Sequence, residues 1–215
     1  MAEAELILRE VELEIRQCKK CGLANSRKNA VPGEGPANAL IMFIGEGPGF
    51  YENEQGRPFV GQAGKFLDEL LKSAGLRRET VYITNVVKCR PPGNREPEDA
   101  ELAACAPYLE RQIEAIDPLI IVTLGRFSMA RYFQKGKISV IHGHSAWIDG
   151  RLIVPMYHPA AGLHQNKLRA VIMKDFAQLP MLIEKAKNQR EMMATQKKEP
   201  SSSESSESAT QLSFF

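Results

Sequence analysis

Four short apolar runs recur along the chain, with room for a helix between each run and the next. They cover residues 39–45, 81–87, 118–125 and 151–158. Each run is continuous rather than alternating, which is typical of strands buried on both faces of a parallel sheet. We therefore predict an α/β fold whose sheet carries helices on both faces.

Helix patterns lie between these runs. In residues 62–76 the apolar side chains fall three and four positions apart, and Gly75 marks the end. Residues 97–117 begin with a proline and several acids, as helix N-termini often do, and a third pattern covers residues 166–187. Ligands of such folds bind beyond the carboxyl ends of the strands, so we expect a site there.

The composition changes near Lys187. Residues 187–210 are rich in Ser, Glu and Lys and poor in hydrophobic side chains. Such a segment cannot bury enough apolar surface to offset its ordering entropy, so we predict a disordered linker. We predict a folded domain over residues 1–186 and a separate apolar peptide, QLSFF, over residues 211–215.

Length and charge restrict the function only loosely. The chain has 215 residues, which suffices for one α/β domain with an appendage, and a net charge of +2 at pH 7. This charge neither indicates nor excludes a nucleic-acid partner. Neither a signal-peptide pattern nor an apolar run of membrane-spanning length is visible in the sequence. We expect a cytoplasmic monomer without a membrane partner.

A glycine-rich stretch, GEGPG, follows the first predicted strand at residues 45–49. Its glycines do not follow the order G-x-G-x-x-G of dinucleotide-binding loops. Glu46 would repel a phosphate at close range, and residues 50–65 are expected to delay any helix. We interpret the stretch as a turn that offers a carboxylate and backbone N–H groups to a neutral ligand.

Three side chains are expected near this turn. Phe59 lies between glycines ahead of a helix, Asn85 interrupts an apolar run, and His158 ends the fourth strand. A buried amide needs partners for both its donor and its acceptor, and a histidine at a strand's carboxyl end is well placed for chemistry. The alternatives are a core ring, an amide bonded to the backbone and a structural imidazole. We interpret His142 and His144 as loop residues.

Four cysteines suggest a shared metal site. Cys18 and Cys21 form a C-x-x-C pair, Cys89 follows the second strand, and Cys105 lies in the helix pattern at 97–117. In a reducing compartment, cysteines indicate metal binding or catalysis before disulfides. Four thiolates suit tetrahedral zinc or an iron–sulfur cluster. The alternative for Cys105 is a small buried apolar side chain.

In this order, the residues resemble the family 4 uracil-DNA glycosylases, the iron–sulfur branch of the uracil-DNA glycosylase superfamily. The resemblance covers roughly residues 15–185 and rests on the paired cysteines, GEGPG, GRPFVGQAGKFLDELL, VYITNVVKCRPPGNR, the later cysteine and HPAAGL. It implies removal of uracil from DNA by a three-layer α/β/α protein with a central four-stranded, mainly parallel sheet. It also implies a [4Fe–4S] cluster, with zinc as the alternative, on Cys18, Cys21, Cys89 and Cys105.

The resemblance implies roles for three residues in a uracil pocket. Phe59 would stack on a uracil that is flipped out of the DNA. The Asn85 amide would accept a hydrogen bond from N3–H and donate one to O4, where cytosine carries an amino group instead. His158 would bond to O2 and stabilise the negative charge that develops on the base as the glycosidic bond breaks.

The glycine loop would complete this pocket through Gly45 and Gly47. In the best-known branch of the superfamily an aspartate positions the water, and the corresponding residue here is Gly47. Glu46 is then the nearest carboxylate to orient water or stabilise the oxocarbenium sugar, and its alternative role is to organise the pocket. Glu52 would line the side where the methyl group of thymine would lie.

The resemblance also implies contacts with DNA. HPAAGL would form a loop that inserts an apolar wedge into the vacated base stack. Relatives often carry leucine four residues after the histidine, where this chain has Gly162, so the wedge candidate is the next residue. The candidates for DNA contact are Leu163, Arg90, Arg95, Lys167 and Arg169. For Lys167 and Arg169 the alternative is a solvated helix charge.

The C-terminal peptide QLSFF resembles the short motif with which bacterial repair and replication proteins bind the sliding clamp. The linker before it would tether the enzyme and raise its effective concentration. An incidental apolar terminus is the alternative. The residues of the motif are Gln211, Leu212, Phe214 and Phe215.

Two other functions remain as alternatives. One is a uracil-DNA binding or covalent trapping protein, although KCRPPGNREPED lacks the inserted basic segment and histidine of the cross-linking branch. The other is an iron–sulfur redox protein on a nucleotide-binding fold, which GEGPG disfavours. The sequence therefore favours a hydrolytic DNA glycosylase.

Overall fold

A five-stranded sheet forms the centre of the protein in a computed structural model, which describes residues 2–196. The strands are β1 (Ile41–Gly45), β2 (Tyr82–Asn85), β3 (Ile120–Leu124), β4 (Ala146–Ile148) and β5 (Arg151–Met156). Their order across the sheet is β2-β1-β3-β5-β4, and every neighbouring pair is parallel except β4 with β5.

Helices cover both faces of the sheet. Within residues 2–196 the α-helices are α1 (Ala2–Gln17), α2 (Phe50–Gln55), α3 (Gln62–Ser73), α4 (Asp99–Ile116), α5 (Arg126–Ala130), α6 (Ile138–Ile141), α7 (Pro159–His164), α8 (Asn166–Phe176) and α9 (Leu179–Gln196). One face is covered by α3, α8 and α9, the other by α4 and α5, and α1 packs against α4. None of the helices in this part of the chain combines the length and hydropathy of a membrane span.

The side chains of β1 alternate between two hydrophobic cores. Ile41 and Phe43 join the core under α3 and α8, whereas Met42 and Ile44 join the core under α4. Because successive side chains of a strand point to opposite faces, a continuous apolar run fills both cores. The predicted three-layer α/β/α architecture is confirmed.

The sheet has one strand more than the four predicted. The extra strand, β4, is three residues long, lies at the sheet edge and pairs antiparallel with β5. Because it has only three residues, all partly exposed, its sequence does not form a continuous apolar run. Asp149 and Gly150, both with positive φ (49° and 75°), form the tight turn between the two strands. This Asp-Gly pair is the signal that could have revealed the hairpin.

Residues 50–65 were expected to delay any helix, and this expectation was wrong. Helix α2 begins at Phe50, directly after the glycine loop. The Glu52 carboxylate accepts a hydrogen bond from the Gly49 N–H at 3.1 Å. This bond satisfies one of the N–H groups that a helix start leaves without a partner, so the acid stabilises the short helix.

The last helix extends past the predicted domain boundary. Helix α9 ends at Gln196, so residues 187–196 of the predicted linker are helical. This segment is rich in helix formers, and Arg190 pairs with Asp117 at 2.8 Å. The rest of the predicted linker and the QLSFF peptide lie outside the described residues.

A buried lysine joins β2 to α4. Lys88 is only 1% exposed, and its Nζ donates to Thr84 Oγ1 (2.5 Å), Gln112 Oε1 (2.7 Å) and the Asn85 carbonyl (2.9 Å). Burial lowers the pKa of Lys88 to about 7, against an opposing effect of Cys105. Because an ammonium group has three N–H donors, these three acceptors satisfy it fully.

Replacing Lys88 by methionine is expected to lower the free energy of unfolding by about 2–4 kcal/mol, because it leaves buried acceptors without a donor. Urea denaturation followed by circular dichroism measures the change. Lys65→Met, at an exposed position on α3, is the matched control and should shift stability by less than about 0.5 kcal/mol. Equal stability of Lys88→Met and the wild type would contradict a stabilising network.

Candidate active site

A cavity of about 320 Å³ opens at the carboxyl edge of the sheet. It lies between the ends of β1 and β2, the loop before α3 and the start of α7. Gly45 and Asn85 are register partners at the ends of β1 and β2. Seven of the predicted site residues line the cavity: Glu46, Gly47, Glu52, Phe59, Asn85, Arg95 and His158.

Asn85 keeps an unpaired acceptor in the wall of this cavity. The residue is 2% exposed, and its Oδ1 has no hydrogen-bond partner within residues 2–196. A buried acceptor in this state costs about 1–3 kcal/mol. A Cβ on Gly45 would lie 2.3 Å from this Oδ1, so glycine at position 45 makes room for the amide. The arrangement suits a ligand that brings a hydrogen-bond donor.

Phe59 forms one wall of the cavity. Its backbone has a φ of +50°, which L-residues rarely adopt. Arg78 holds the loop by donating to the carbonyls of Phe59 (3.1 Å) and Pro58 (2.5 Å), and a Cβ on Gly64 would lie 2.0 Å from the Phe59 oxygen. The Phe59 ring lies 5.4 Å from the His158 ring at 27°. A flat ligand can stack against such a wall.

The proton position on His158 follows from its hydrogen bond. The Ala160 backbone N–H donates to His158 Nδ1 at 3.2 Å. Since a backbone N–H can only donate, Nδ1 is unprotonated and the neutral ring carries its proton on Nε2. Burial lowers the pKa of His158 to about 4, although Glu52 opposes the shift. At neutral pH the ring is therefore an uncharged donor through Nε2–H.

Glu52 organises the loops around the cavity. Its carboxylate accepts hydrogen bonds from the backbone N–H groups of Gly49 (3.1 Å), Val60 (2.9 Å) and Gly61 (2.8 Å). One side chain thus ties the start of α2 to the segment that follows Phe59. Charge-assisted bonds of this kind are stronger than neutral ones, so Glu52 fixes the shape of the cavity.

Glu46 is the second carboxylate of the cavity, and it lies directly after β1. Burial raises the pKa of Glu46, the charge of Arg126 opposes the rise, and Glu96 adds to it. The Glu46 carbonyl accepts a hydrogen bond from the Val87 N–H at 3.1 Å, which fixes the backbone of the glycine loop. In this partly desolvated position the carboxylate interacts with a nearby charge more strongly than it would in water.

The packing around Gly162 explains why the wedge candidate is Leu163, one residue later than the leucine that relatives often carry. Gly162 is buried, and a Cβ there would lie 2.8 Å from Phe66 Cε1 and 3.2 Å from Ile172 Cδ1. A leucine therefore does not fit at position 162. Leu163 follows on α7 with 39% of its surface exposed, and it stays the predicted wedge.

The basic candidates for DNA contact differ in their partners. Arg95 lines the cavity but forms two hydrogen bonds with Glu101 (2.9 and 2.7 Å), and Arg169 forms one with Glu69 (2.6 Å). These pairs compete with any phosphate. Two of the basic candidates form no ion pair within residues 2–196: Arg90 and Lys167.

The four cysteines line a second, much smaller cavity of about 10 Å³. Cys18 and Cys21 follow α1, Cys89 follows β2, and Cys105 belongs to α4. None of the four forms a disulfide bond. In the described part of the chain, no three His, Cys, Asp or Glu side chains are arranged to hold a metal ion.

Three of the cysteine sulfurs accept hydrogen bonds from N–H groups. Donors of this kind favour the thiolate form. Burial acts in the opposite direction and raises the pKa of Cys105 to about 11. The donor–sulfur pairs are Arg27 Nη1 with Cys89 (3.1 Å), Lys88 N with Cys105 (3.3 Å) and Lys20 N with Cys18 (3.4 Å).

His142 and His144 lie in the loop after α6, as predicted. His142 Nδ1 is 2.8 Å from Asp175 Oδ2, and its ring packs on Tyr157 with centroids 4.8 Å apart. His142 therefore anchors the loop to α8 and is not among the residues that line the main cavity.

Sequence analysis missed three residues that hold the site in place. The role of Lys88 could have been predicted from the sequence, because a charged residue at the end of a buried apolar run needs hydrogen-bond partners in the interior. Arg78 and Gly64 carried none, because their roles depend on contacts with the Phe59 loop.

The fold and the cavity define an α/β/α protein that can bind a small planar ligand at the carboxyl edge of its sheet. The family profile of the uracil DNA glycosylase superfamily matches residues 32–179, which contain all five strands described above and every residue that lines the main cavity. The chain belongs to the uracil DNA glycosylase superfamily.

Similar proteins carry a more specific name. The chain is 50% identical over 182 residues to a type-4 uracil-DNA glycosylase of Sulfurisphaera tokodaii, covering 80% of this chain and 83% of the relative. It is 51% identical over 178 residues to one from Saccharolobus solfataricus (76% and 80% covered). It is 42% identical over 190 residues to one from Thermotoga maritima (86% and 99% covered).

A methyl group at position 45 should disable the cavity without unfolding the protein. In Gly45→Ala the new Cβ would lie 2.3 Å from Asn85 Oδ1 and 2.8 Å from Phe59 Cζ, so both side chains must move. We expect excision of uracil from an oligonucleotide to slow by about 100-fold, as displaced site groups typically cause. Gly22→Ala is the control, since a Cβ there meets nothing within 4 Å. A normal rate in Gly45→Ala would refute the predicted crowding.

The depressed pKa of His158 should make stability acid-sensitive. Histidine titrates near 6.5 when unfolded and at about 4 here. Between these values only the unfolded state binds the proton, so stability falls as the pH drops through this window. From pH 7 to pH 5, urea unfolding should show the wild type losing about 1–2 kcal/mol more than His158→Gln. Identical losses would contradict the shift.

Proposed function

We propose that this protein is a uracil-DNA glycosylase, which hydrolyses the N-glycosidic bond of uracil in DNA and leaves an abasic site for base excision repair. The observation that carries the proposal is the unpaired Oδ1 of Asn85 in a cavity that also presents Phe59 and His158. The names of the type-4 relatives support the same activity.

Recognition of the base rests on the Asn85 amide. Uracil carries a donor at N3–H and an acceptor at O4, so Oδ1 accepts from N3–H and the amide nitrogen donates to O4. Cytosine has an acceptor at N3 and an amino group at position 4, which reverses both polarities. A fixed amide would leave buried groups unpaired with cytosine, and this is a strong form of discrimination.

The flipped base is held between rigid groups. Extrusion from a duplex costs a few kcal/mol, roughly, and stacking on Phe59 offsets part of that cost. Arg78 and Gly64 fix the Phe59 loop, so little ordering is required when the base arrives. Glu52 is fixed by three N–H donors, and we assign to it the side of the pocket where the methyl group of thymine would lie.

Bond cleavage places negative charge on the base and positive charge on the sugar. The electron pair of the C1′–N1 bond moves onto uracil, and His158 Nε2–H donates to O2 where that charge collects. Water then attacks C1′ and loses a proton, and the uracil anion gains a proton to leave as neutral uracil. We assign to Glu46 the orientation of this water and the stabilisation of the oxocarbenium sugar, because its carboxylate is partly desolvated in the same cavity.

We assign a [4Fe–4S] cluster to Cys18, Cys21, Cys89 and Cys105. Such a cluster would supply a cross-link between α1, the segment after β2 and α4. The N–H donors to three sulfurs support thiolate ligands. Zinc, with Zn–S bonds of about 2.3 Å, draws its ligands to one point. A [4Fe–4S] cluster takes four cysteine thiolates, and the four cysteines of this chain line one cavity.

Contacts beyond the cavity complete the proposal. Leu163 is exposed and would act as the wedge, and Arg90 and Lys167 would contact phosphates. Binding of a sliding clamp by QLSFF stays a proposal for a segment outside the described residues. A monomer in a reducing cytoplasm suits four cysteines that form no disulfide bond.

A multiple-turnover excision assay tests the function. The protein, of measured iron and sulfide content, is incubated with an end-labelled oligonucleotide that contains one uracil, and alkali then reveals abasic sites. We expect cleavage at uracil and none at cytosine or thymine. His158→Ala should lower the rate by about 10²–10³-fold, because it removes a donor to the developing anion. Asn85→Ala should lower it by a similar factor.

His144→Ala is the matched control, since His144 is an exposed loop residue. It should retain the wild-type rate. A stable protein–DNA adduct without turnover would favour the trapping protein. Absence of both products, together with reversible reduction of the iron, would favour the redox protein.

A further inference from the structure

Two aromatic side chains stand out at the rim of the catalytic cavity. Phe50 and Tyr51 are 52% and 56% exposed, and they are the only aromatic residues within residues 2–196 that are mostly open to solvent. They are adjacent at the start of α2, directly after Gly49, which lines the cavity. Exposed neighbouring rings at the mouth of a site suggest a binding surface.

Packing holds both rings in place. The Phe50 and Tyr51 rings meet edge to face, with centroids 5.5 Å apart at 85°. The guanidinium of Arg90 lies over the Phe50 ring at 5.3 Å. Tyr51 also borders Gly61, where an added Cβ would lie 3.3 Å from Tyr51 Cδ2. We call Phe50, Tyr51 and Arg90 the aromatic platform.

Arg90 also connects the aromatic platform to the cavity. Arg90 Nε donates to Asn94 Oδ1 at 2.7 Å, and both Asn94 and Pro91, the residue after Arg90, line the cavity. A uracil in the cavity is still joined to its strand. The adjoining nucleotide must therefore lie at the mouth, within reach of the aromatic platform.

We propose that the aromatic platform stacks the base next to the flipped uracil, which makes it a second nucleotide-binding subsite. This inference rests on the proposed function. Every base has a π-face, so an aromatic ring binds neighbours of any identity. The Arg90 cation adds attraction to the phosphate between the two nucleotides. An apolar protein partner would not make use of this cation.

The aromatic platform should matter most for single-stranded DNA. In a duplex, the neighbouring base is stacked on its own strand and paired with the opposite strand, so transfer to the protein gains little. In a single strand the neighbour is free to stack on Phe50 or Tyr51. Loss of one ring should weaken binding of single-stranded substrate by about five- to tenfold and of duplex by less.

A fluorescent neighbour reports this contact directly. 2-Aminopurine, whose emission is quenched by stacking on an aromatic ring, is placed 5′ or 3′ of a 2′-fluoro-deoxyuridine that resists hydrolysis. The full-length, iron-loaded protein should change the emission of one of the two oligonucleotides. We expect Phe50→Leu or Tyr51→Leu to remove this change and Phe50→Tyr to retain it, because tyrosine keeps the ring.

Leu13→Ala, at an exposed apolar position on α1, is the control and should behave as the wild type. The proposal is overturned if neither oligonucleotide responds to the wild type, or if both leucine variants respond and bind as the wild type does. In the latter case the aromatic platform serves another macromolecule or none. Uracil excision by the wild type from an ordinary oligonucleotide is measured in parallel. Normal excision without a fluorescence response would overturn only the aromatic platform, whereas absence of excision would overturn the proposed function itself.

Discussion

The candidate site depends most on the ammonium group of Lys88. It is buried at the end of the strand that carries Asn85, and its three donors reach three acceptors from two elements. The backbone N–H of the same residue donates to Cys105 Sγ. One residue thus connects the catalytic cavity to the cysteine cavity. Removal of its amino group would leave acceptors unpaired on both sides of the joint between β2 and α4.

The main cavity has its binding groups in place before any ligand arrives. Asn85 keeps an unpaired acceptor, Phe59 keeps a left-handed backbone, and Glu52 holds the surrounding loops with three hydrogen bonds. Each of the first two features costs stability in the free protein. A uracil base would supply the missing donor and a partner for the ring. The unfavourable features of the free protein thus lie at the positions that a ligand would contact.

The architecture and the position of Asn85 and His158 in the cavity could be predicted from the sequence, because both follow from the pattern of apolar runs. Strands buried on both faces leave continuous apolar runs, and polar residues that end such runs must lie at one edge of the sheet. Asn85 and His158 followed from this logic. The hydrogen bonds of Glu52 did not, because they join segments whose relative placement only the fold determines. The end of α9 was missed because a polar helix and a polar linker share much of their composition.

The proposed role of the Asn85 acceptor has a consequence for the release of the product. Breaking the bond between sugar and base does not alter the N3–H edge or the flat face of uracil. A pocket that binds uracil through Asn85 Oδ1 and the Phe59 ring would hold the freed base by the same two contacts as the intact nucleotide. Departure of the base would then be a distinct step of the catalytic cycle, and free uracil would compete with the next substrate for Oδ1.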